Sequence, residues 1–189
     1  MHFQGNYKHW IPDGLIKTIL TNDGDVTPVY QPDKWKGQED IDRARVELEN
    51  AGYPELNYKF HQYTIQTECI KKFQTWSNIK SLDFNINMMP ICPFWCEYSH
   101  WWIVKYLPGD MQPMHFDPHL IGTEDCIRYT MMLTDYEDGH IFTYNDQLFT
   151  DYKVGDLFMW SDAMCLHGAA NISMNPRISL QMSFYNKQS

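Results

Sequence analysis

Trp101-Trp-Ile-Val-Lys-Tyr-Leu107-Pro-Gly-Asp-Met111-Gln-Pro-Met-His115-Phe-Asp117 reads as two strands around a turn. The extended runs Trp101–Leu107 and Met111–Asp117 flank Pro108-Gly109, a dipeptide that breaks regular structure and closes tight turns. Along a strand, side chains two residues apart share a face. His115 and Asp117 therefore present an imidazole and a carboxylate to one space, with Phe116 turned away. These are two of the three protein groups of a facial triad, the ligand set that leaves positions open on Fe(II). A His-x-Asp pair by itself is more often a surface or hydrogen-bonded pair, so the rest of the chain decides its meaning.

Working outward, the period of two begins at Leu82, where Leu82, Phe84, Ile86 and Met88 alternate with polar residues. Further strands are expected at Ile127–Thr134, His140–Tyr144, Asp156–Trp160 and Ile178–Tyr185, punctuated at Asp138-Gly139 and Gly155-Asp156. Many short strands with regular turns imply a sandwich or barrel. Residues 1 to about 80 carry helical signals instead. In Gln38–Tyr53, Ile41, Ala44, Leu48 and Ala51 share a helical face, and Gly52 and Pro54 supply a stop. A second helix is expected over Gln66–Ile79, with Cys69, Ile70, Phe73 and Trp76 inward. The expected fold is thus mainly β with flanking helices, in one domain over residues 1–189: a helical part to about 80 and a β core over about 82–186.

The third metal ligand comes from elsewhere. His167 follows the Asp156–Trp160 strand and precedes the strand that begins near Pro176. Ten positions later stands Arg177, with Ser179 on the same face by alternation. A guanidinium beside a hydroxyl suits a carboxylate. Arginine at a strand end commonly closes a surface ion pair, but the apolar neighbours of Arg177 demand a partner inside. His119 is a competing ligand or an entrance residue, and His140 reads as a turn residue. Trp101, Trp102 and Trp160 read as core or pocket wall, and the 11 methionines as packing.

His115-x-Asp117, distal His167 and Arg177-x-Ser179 together resemble the Fe(II)/2-oxoglutarate-dependent dioxygenases. The Tyr106-x-x-Gly109 lead-in resembles their prolyl-hydroxylase branch. Arg128, in Ile127-Arg128-Tyr129-Thr130, is similar to the strand arginine of the aspartyl/asparaginyl β-hydroxylases, which helps bind the co-substrate. Those β-hydroxylases lack the triad carboxylate, whereas Asp117 is present. The prolyl-hydroxylase branch often has a tyrosine where this chain has Met132. The pattern also resembles small oxygenases encoded by marine bacteriophages. The likeness spans residues 98 to 185. It implies a double-stranded β-helix of jelly-roll or cupin type. It also implies Fe(II) held by His115, Asp117 and His167, and 2-oxoglutarate and O2 as co-substrates. Arg177 and Ser179 would clamp the 2-oxoglutarate, with Tyr106 and Arg128 as further contacts.

Composition narrows the partners. A net charge of −9 repels phosphate backbones and counts against nucleic acid. The 43% hydrophobic and 15% aromatic content supports a packed core. Five cysteines without regular spacing do not form a disulfide framework, and reduced thiols fit a cytoplasmic protein, in the host cytoplasm if virus-encoded. No run approaches the roughly 20 apolar residues of a membrane span, and no signal pattern opens the chain. The expected activity is hydroxylation of a peptidyl or small-molecule C–H bond, with succinate and CO2 released. The rival is a non-catalytic, cupin-like metal- or ligand-binding β-sandwich.

Overall fold

The computed structural model describes residues 1–28, 46, 50, 59–67, 72–73, 81–86, 89–115, 126–145, 147–160 and 165–186. Its strands are β1 (His2–Asn6), β2 (Asp25–Pro28), β3 (Lys59–Thr67), β4 (Lys72–Phe73), β5 (Ser81–Ile86), β6 (Tyr98–Tyr106) and β7 (Met111–His115). There follow β8 (Cys126–Met132), β9 (His140–Tyr144), β10 (Gln147–Leu148), β11 (Asp156–Trp160), β12 (His167–Asn171) and β13 (Arg177–Tyr185). One α-helix, α1 (Leu15–Thr21), is described in full.

Two sheets form. The larger runs β1-β11-β8-β13-β6-β3-β2, with β4 on β6 and β5 on β3; the smaller runs β10-β9-β12-β7. From β6 to β13 the chain crosses between the sheets at every connection except the β9–β10 hairpin. All ladders among these eight strands are antiparallel. That interleaving, β6, β8, β11 and β13 facing β7, β9, β10 and β12, is the double-stranded β-helix form of the jelly roll.

The first crossing shows how local chemistry builds it. The Leu107 carbonyl accepts from Asp110 N at 2.9 Å, and Gly109 sits at φ 89°. Proline then glycine at the central positions is the type II arrangement, which needs a positive φ at the second. Asp110 Oδ2 accepts from Leu107 N at 2.9 Å, and Gly109 N donates to Asn171 O at 2.7 Å. The turn therefore throws the chain from β6 into β7 and is tied to β12.

Strand β13 is buried along both faces. Ile178, Leu180, Met182 and Phe184 point to the back of the larger sheet, among Trp101, Ile103, Tyr129, Met131 and Leu157. Burying each such side chain contributes about 1.5–3 kcal/mol. Arg177, Ser179, Gln181 and Ser183 take the other face, toward the smaller sheet. There Val104, Tyr106 and Met132 of the larger sheet meet Phe142 and Ala169 of the smaller.

Helix α1 covers the apolar back with Leu15 and Ile19, one turn apart. Its C-terminal carbonyls meet a buried cation: Lys105 Nζ donates to Ile19 O at 3.0 Å and to Asn22 O at 2.8 Å. The Tyr63 hydroxyl donates to Asn22 O at 2.6 Å, and burial pushes its pKa up to about 12.

Three sequence expectations change. The helix over Gln66–Ile79 does not form as a unit: Gln66 and Thr67 end β3, and Lys72–Phe73 is β4, paired with β6. Sheet pairing outweighed the 3.6-residue pattern there. The region before residue 80 is not simply helical either, since β1, β2 and β3 extend the larger sheet at both edges. His140 is not a turn residue; it opens β9 and is buried. Of the helix expected over Gln38–Tyr53, only Val46 and Asn50 are described, both helical and exposed, and the rest lies outside the described residues. No helix among the described residues is long and apolar enough to cross a membrane.

Replacing Lys105 by Met should lower the unfolding free energy by about 2–3 kcal/mol, because charge-assisted bonds to two buried carbonyls are lost. Lys17→Met, on the exposed side of α1, should change it by less than about 0.5 kcal/mol. Urea unfolding of both variants checks this; equal midpoints would remove Lys105 from the account.

Candidate active site

The two histidines singled out in the sequence come together. His167 opens β12 and pairs directly with His115 at the end of β7. Their ring centroids are 4.2 Å apart at an interplanar angle of 51°. Residues 52 positions apart in the chain thus become cross-strand neighbours.

Each ring is oriented by a second group. His167 Nδ1 lies 3.0 Å from the Cys165 carbonyl, which only accepts, so Nδ1 carries the proton and the lone pair falls on Nε2. The Tyr106 hydroxyl donates to Gln112 Oε1 at 2.8 Å, which fixes the amide and turns its nitrogen toward His115 Nε2 at 3.0 Å. That nitrogen donates, so His115 also carries its lone pair on Nε2. Both rings thus carry their basic nitrogen at Nε2, that of His115 already accepting from Gln112, and two neutral imidazoles side by side on one ladder rung are ligand types that suit a divalent metal. Among the described residues no group of three His, Cys, Asp or Glu side chains gathers around them. Asp117 and His119 lie outside the described residues.

Trp160 of β11 packs edge-on against His167 at 5.0 Å and against Tyr144 at 5.4 Å. Arg128 stacks over the Trp160 ring at 4.0 Å and donates from Nε to Ser183 Oγ at 3.1 Å. Arg128 therefore stands on the histidine side of the inner face. It pairs opposite Ser183, six residues along β13 from Arg177, about 20 Å at the usual strand rise.

Arg177 is 1% exposed, and its Nε and Nη2 have no hydrogen-bond partner among the described residues. The guanidinium lies over Phe142 at 5.0 Å and Tyr106 at 5.5 Å. Phe142 pairs with Ala169, two residues along β12 from His167. The guanidinium thus sits at a level about 7 Å from His167 along the strand. Ser179 is fully buried beside it on the same strand face. A chain of bonds ends there: Trp160 Nε1 donates to Thr130 Oγ1 (3.2 Å), Thr130 to Gln181 Oε1 (2.8 Å), and Gln181 Nε2 to Ser179 Oγ (3.0 Å). The Ser179 hydroxyl, having accepted, keeps its own proton to donate.

His140 lies apart from the histidine pair. Its Nε2 is 3.2 Å from Asn175 O, and burial, aided by the charge of Arg177, pushes its pKa down. Sequence reasoning missed Gln112 and Cys165. Gln112, three residues before His115, was within reach of notice; Cys165 acts through its carbonyl, which has no pattern.

No family model and no curated protein matches the chain. Solved structures overlap it in part. An oxidoreductase of the 2OG-Fe(II) oxygenase family from Burkholderia pseudomallei is 21% identical, at a TM-score of 0.38, over 47% of this chain and 42% of that one. The non-heme alpha-ketoglutarate-dependent carbocyclase SnoK from nogalamycin biosynthesis is 14% identical, at 0.37, over 46% of this chain and 48% of that one. A predicted oxalate decarboxylase from Thermotoga maritima is 17% identical, at 0.35, over 46% and 65%. The chain spans less than half the length of the two oxygenases.

The bond pattern has a spectroscopic consequence. Long-range proton–nitrogen NMR spectra of the metal-free protein at alkaline pH should show both His115 and His167 protonated at Nδ1. Gln112→Leu should disturb the His115 signals and leave those of His167. A His167 protonated at Nε2 would overturn the lone-pair assignment.

Proposed function

We propose that the chain is an Fe(II)- and 2-oxoglutarate-dependent oxygenase that hydroxylates a C–H bond of a small-molecule or peptidyl substrate. The observation that carries this reading is Arg177, a buried guanidinium whose Nε and Nη2 find no acceptor among the described residues, set about two strand residues from the His115–His167 pair. A buried cation of this kind costs free energy unless an anion meets it. A site that only stored a metal has no use for it. A five-carbon 2-oxo dicarboxylate fits the spacing, with its oxo acid at the histidines and its distal carboxylate at Arg177.

His115, His167 and Asp117 would hold the iron. When bound, iron supplies activation of O2, with one oxygen atom going to succinate formed alongside CO2 and the other to the substrate carbon. The remaining work is the protein's. The Cys165 carbonyl holds the His167 imidazole in orientation, whereas the Gln112 amide occupies the His115 Nε2 that would take the metal and must turn aside when it binds. Arg177 binds the distal carboxylate and the Ser179 hydroxyl donates to it. Phe142, Tyr106 and Trp160 exclude water from the inner face, which strengthens those bonds. The substrate is an uncharged or cationic group more readily than a nucleic acid, given a net charge of −9.

Three measurements test this. His167→Ala should lower metal affinity at least about tenfold, judged against the loss that supporting-shell changes alone produce; undiminished affinity would remove His167 as a ligand. Arg177→Ala should raise the 2-oxoglutarate requirement at least about a hundredfold with metal affinity retained; an unchanged requirement would exclude the clamp. Purified, iron-loaded protein in air should form succinate slowly without added substrate, and should stop when Zn²⁺ replaces iron, since Zn²⁺ has no redox chemistry. Succinate no faster than in an Asp117→Ala control, across peptides, amino acids and nucleosides, would leave the binding module.

A further inference from the structure

Tyr152 lies in the loop between β10 and β11, is 1% exposed, and is used by nothing in the scheme above. Its position is tightly held. Its carbonyl accepts from Tyr136 N at 2.9 Å, and its ring meets the Tyr136 ring edge-on at 5.5 Å. It packs in one cluster with Tyr106 and Phe142, the two rings that flank the Arg177 guanidinium.

The tip of this side chain has nothing to donate to. The Tyr152 hydroxyl finds no acceptor among the described residues and faces the Arg177 guanidinium, whose Nε and Nη2 likewise find none. A buried phenol without a partner costs free energy, and a phenol donor beside guanidinium donors leaves both in need of an acceptor. Burial holds the phenol proton on, against the charge of Arg177 and a hydrogen bond from its side chain, so the group remains a donor at neutral pH. Several donors side by side in the interior, with a planar fork among them, match a carboxylate.

We propose that Tyr152 is a further binding residue, whose hydroxyl donates with Arg177 to the distal carboxylate of a short dicarboxylate and so selects dicarboxylates over monocarboxylates. This rests on the co-substrate reading above, and adds a donor from a loop outside the motif-bearing strands.

The test is Tyr152→Phe, which removes the hydroxyl and leaves the ring. Two readouts should separate. Zinc-loaded protein, which binds without turnover, should lose about 10- to 100-fold in affinity for 2-oxoglutarate by calorimetry, the range for a hydrogen bond to a charged group. Affinity for 2-oxopentanoate, which lacks the distal carboxylate, should be equal in wild type and variant. The ligand-free variant should unfold at nearly the same urea concentration, because the hydroxyl donates to no internal acceptor. A markedly less stable variant would mean the hydroxyl already donates inside the protein and would overturn the proposal. Equal 2-oxoglutarate affinity in wild type and Tyr152→Phe, with affinity lost in Arg177→Lys, would overturn it and leave the co-substrate reading standing. Wild type that binds zinc but discriminates no dicarboxylate from 2-oxopentanoate would overturn both.

Discussion

Strand β13 is buried on both faces, and its two faces carry opposite chemistry. Ile178, Leu180, Met182 and Phe184 hold the helix-covered back of the larger sheet, while Arg177, Ser179, Gln181 and Ser183 line the space between the sheets. A slip of one residue would exchange the faces, placing a guanidinium in the apolar back and four hydrophobic side chains in the polar interior. The register against β6 and β8 is therefore strongly specified, and it places every inner-face group relative to the others.

Three buried cations follow from this arrangement, and each meets its desolvation differently. Lys105 is neutralised in part by carbonyls at the C-terminal end of α1, where the helix dipole favours positive charge. Arg128 rests on the face of Trp160 and bonds Ser183. Arg177 has aromatic faces beside it and no acceptor for Nε or Nη2 among the described residues. Lys105 thus ties the helix to the sheet, whereas Arg177 keeps two donor nitrogens for which the described residues offer no acceptor.

The histidine pair shows the same division between scaffold and readiness. Cross-strand pairing sets the distance between His115 and His167, and their partners set the tautomers. Gln112 joins the two halves of the site, since Tyr106 orients it and the Tyr106 ring also flanks Arg177.

Local chemistry alone determined a good deal. Alternation in His140–Tyr144 and Asp156–Trp160 marked strands where they lie, and the alternation from Leu82 to Met88 meets β5 (Ser81–Ile86), with Met88 outside the described residues, because period two with turn residues at each end has no helical counterpart. Pro108-Gly109 marked the crossing from β6 to β7, because only glycine takes that φ without strain. The resemblance at His115, His167 and Arg177 named three residues that the fold does set around one inner face. Tertiary structure decided the rest. Gln66–Thr67 and Lys72–Phe73 became strands because β5 and β6 offered hydrogen bonds that outweighed a helical pattern. The Cys165 carbonyl and the Gln112 amide meet the imidazoles from two and three residues away, but only the ladder that sets His115 beside His167 gives those contacts a place in a site, and Tyr152 reaches the cluster around Arg177 only through packing. Which donors are left unpaired is a property of the packed interior, since every polar group in the extended chain is paired with water.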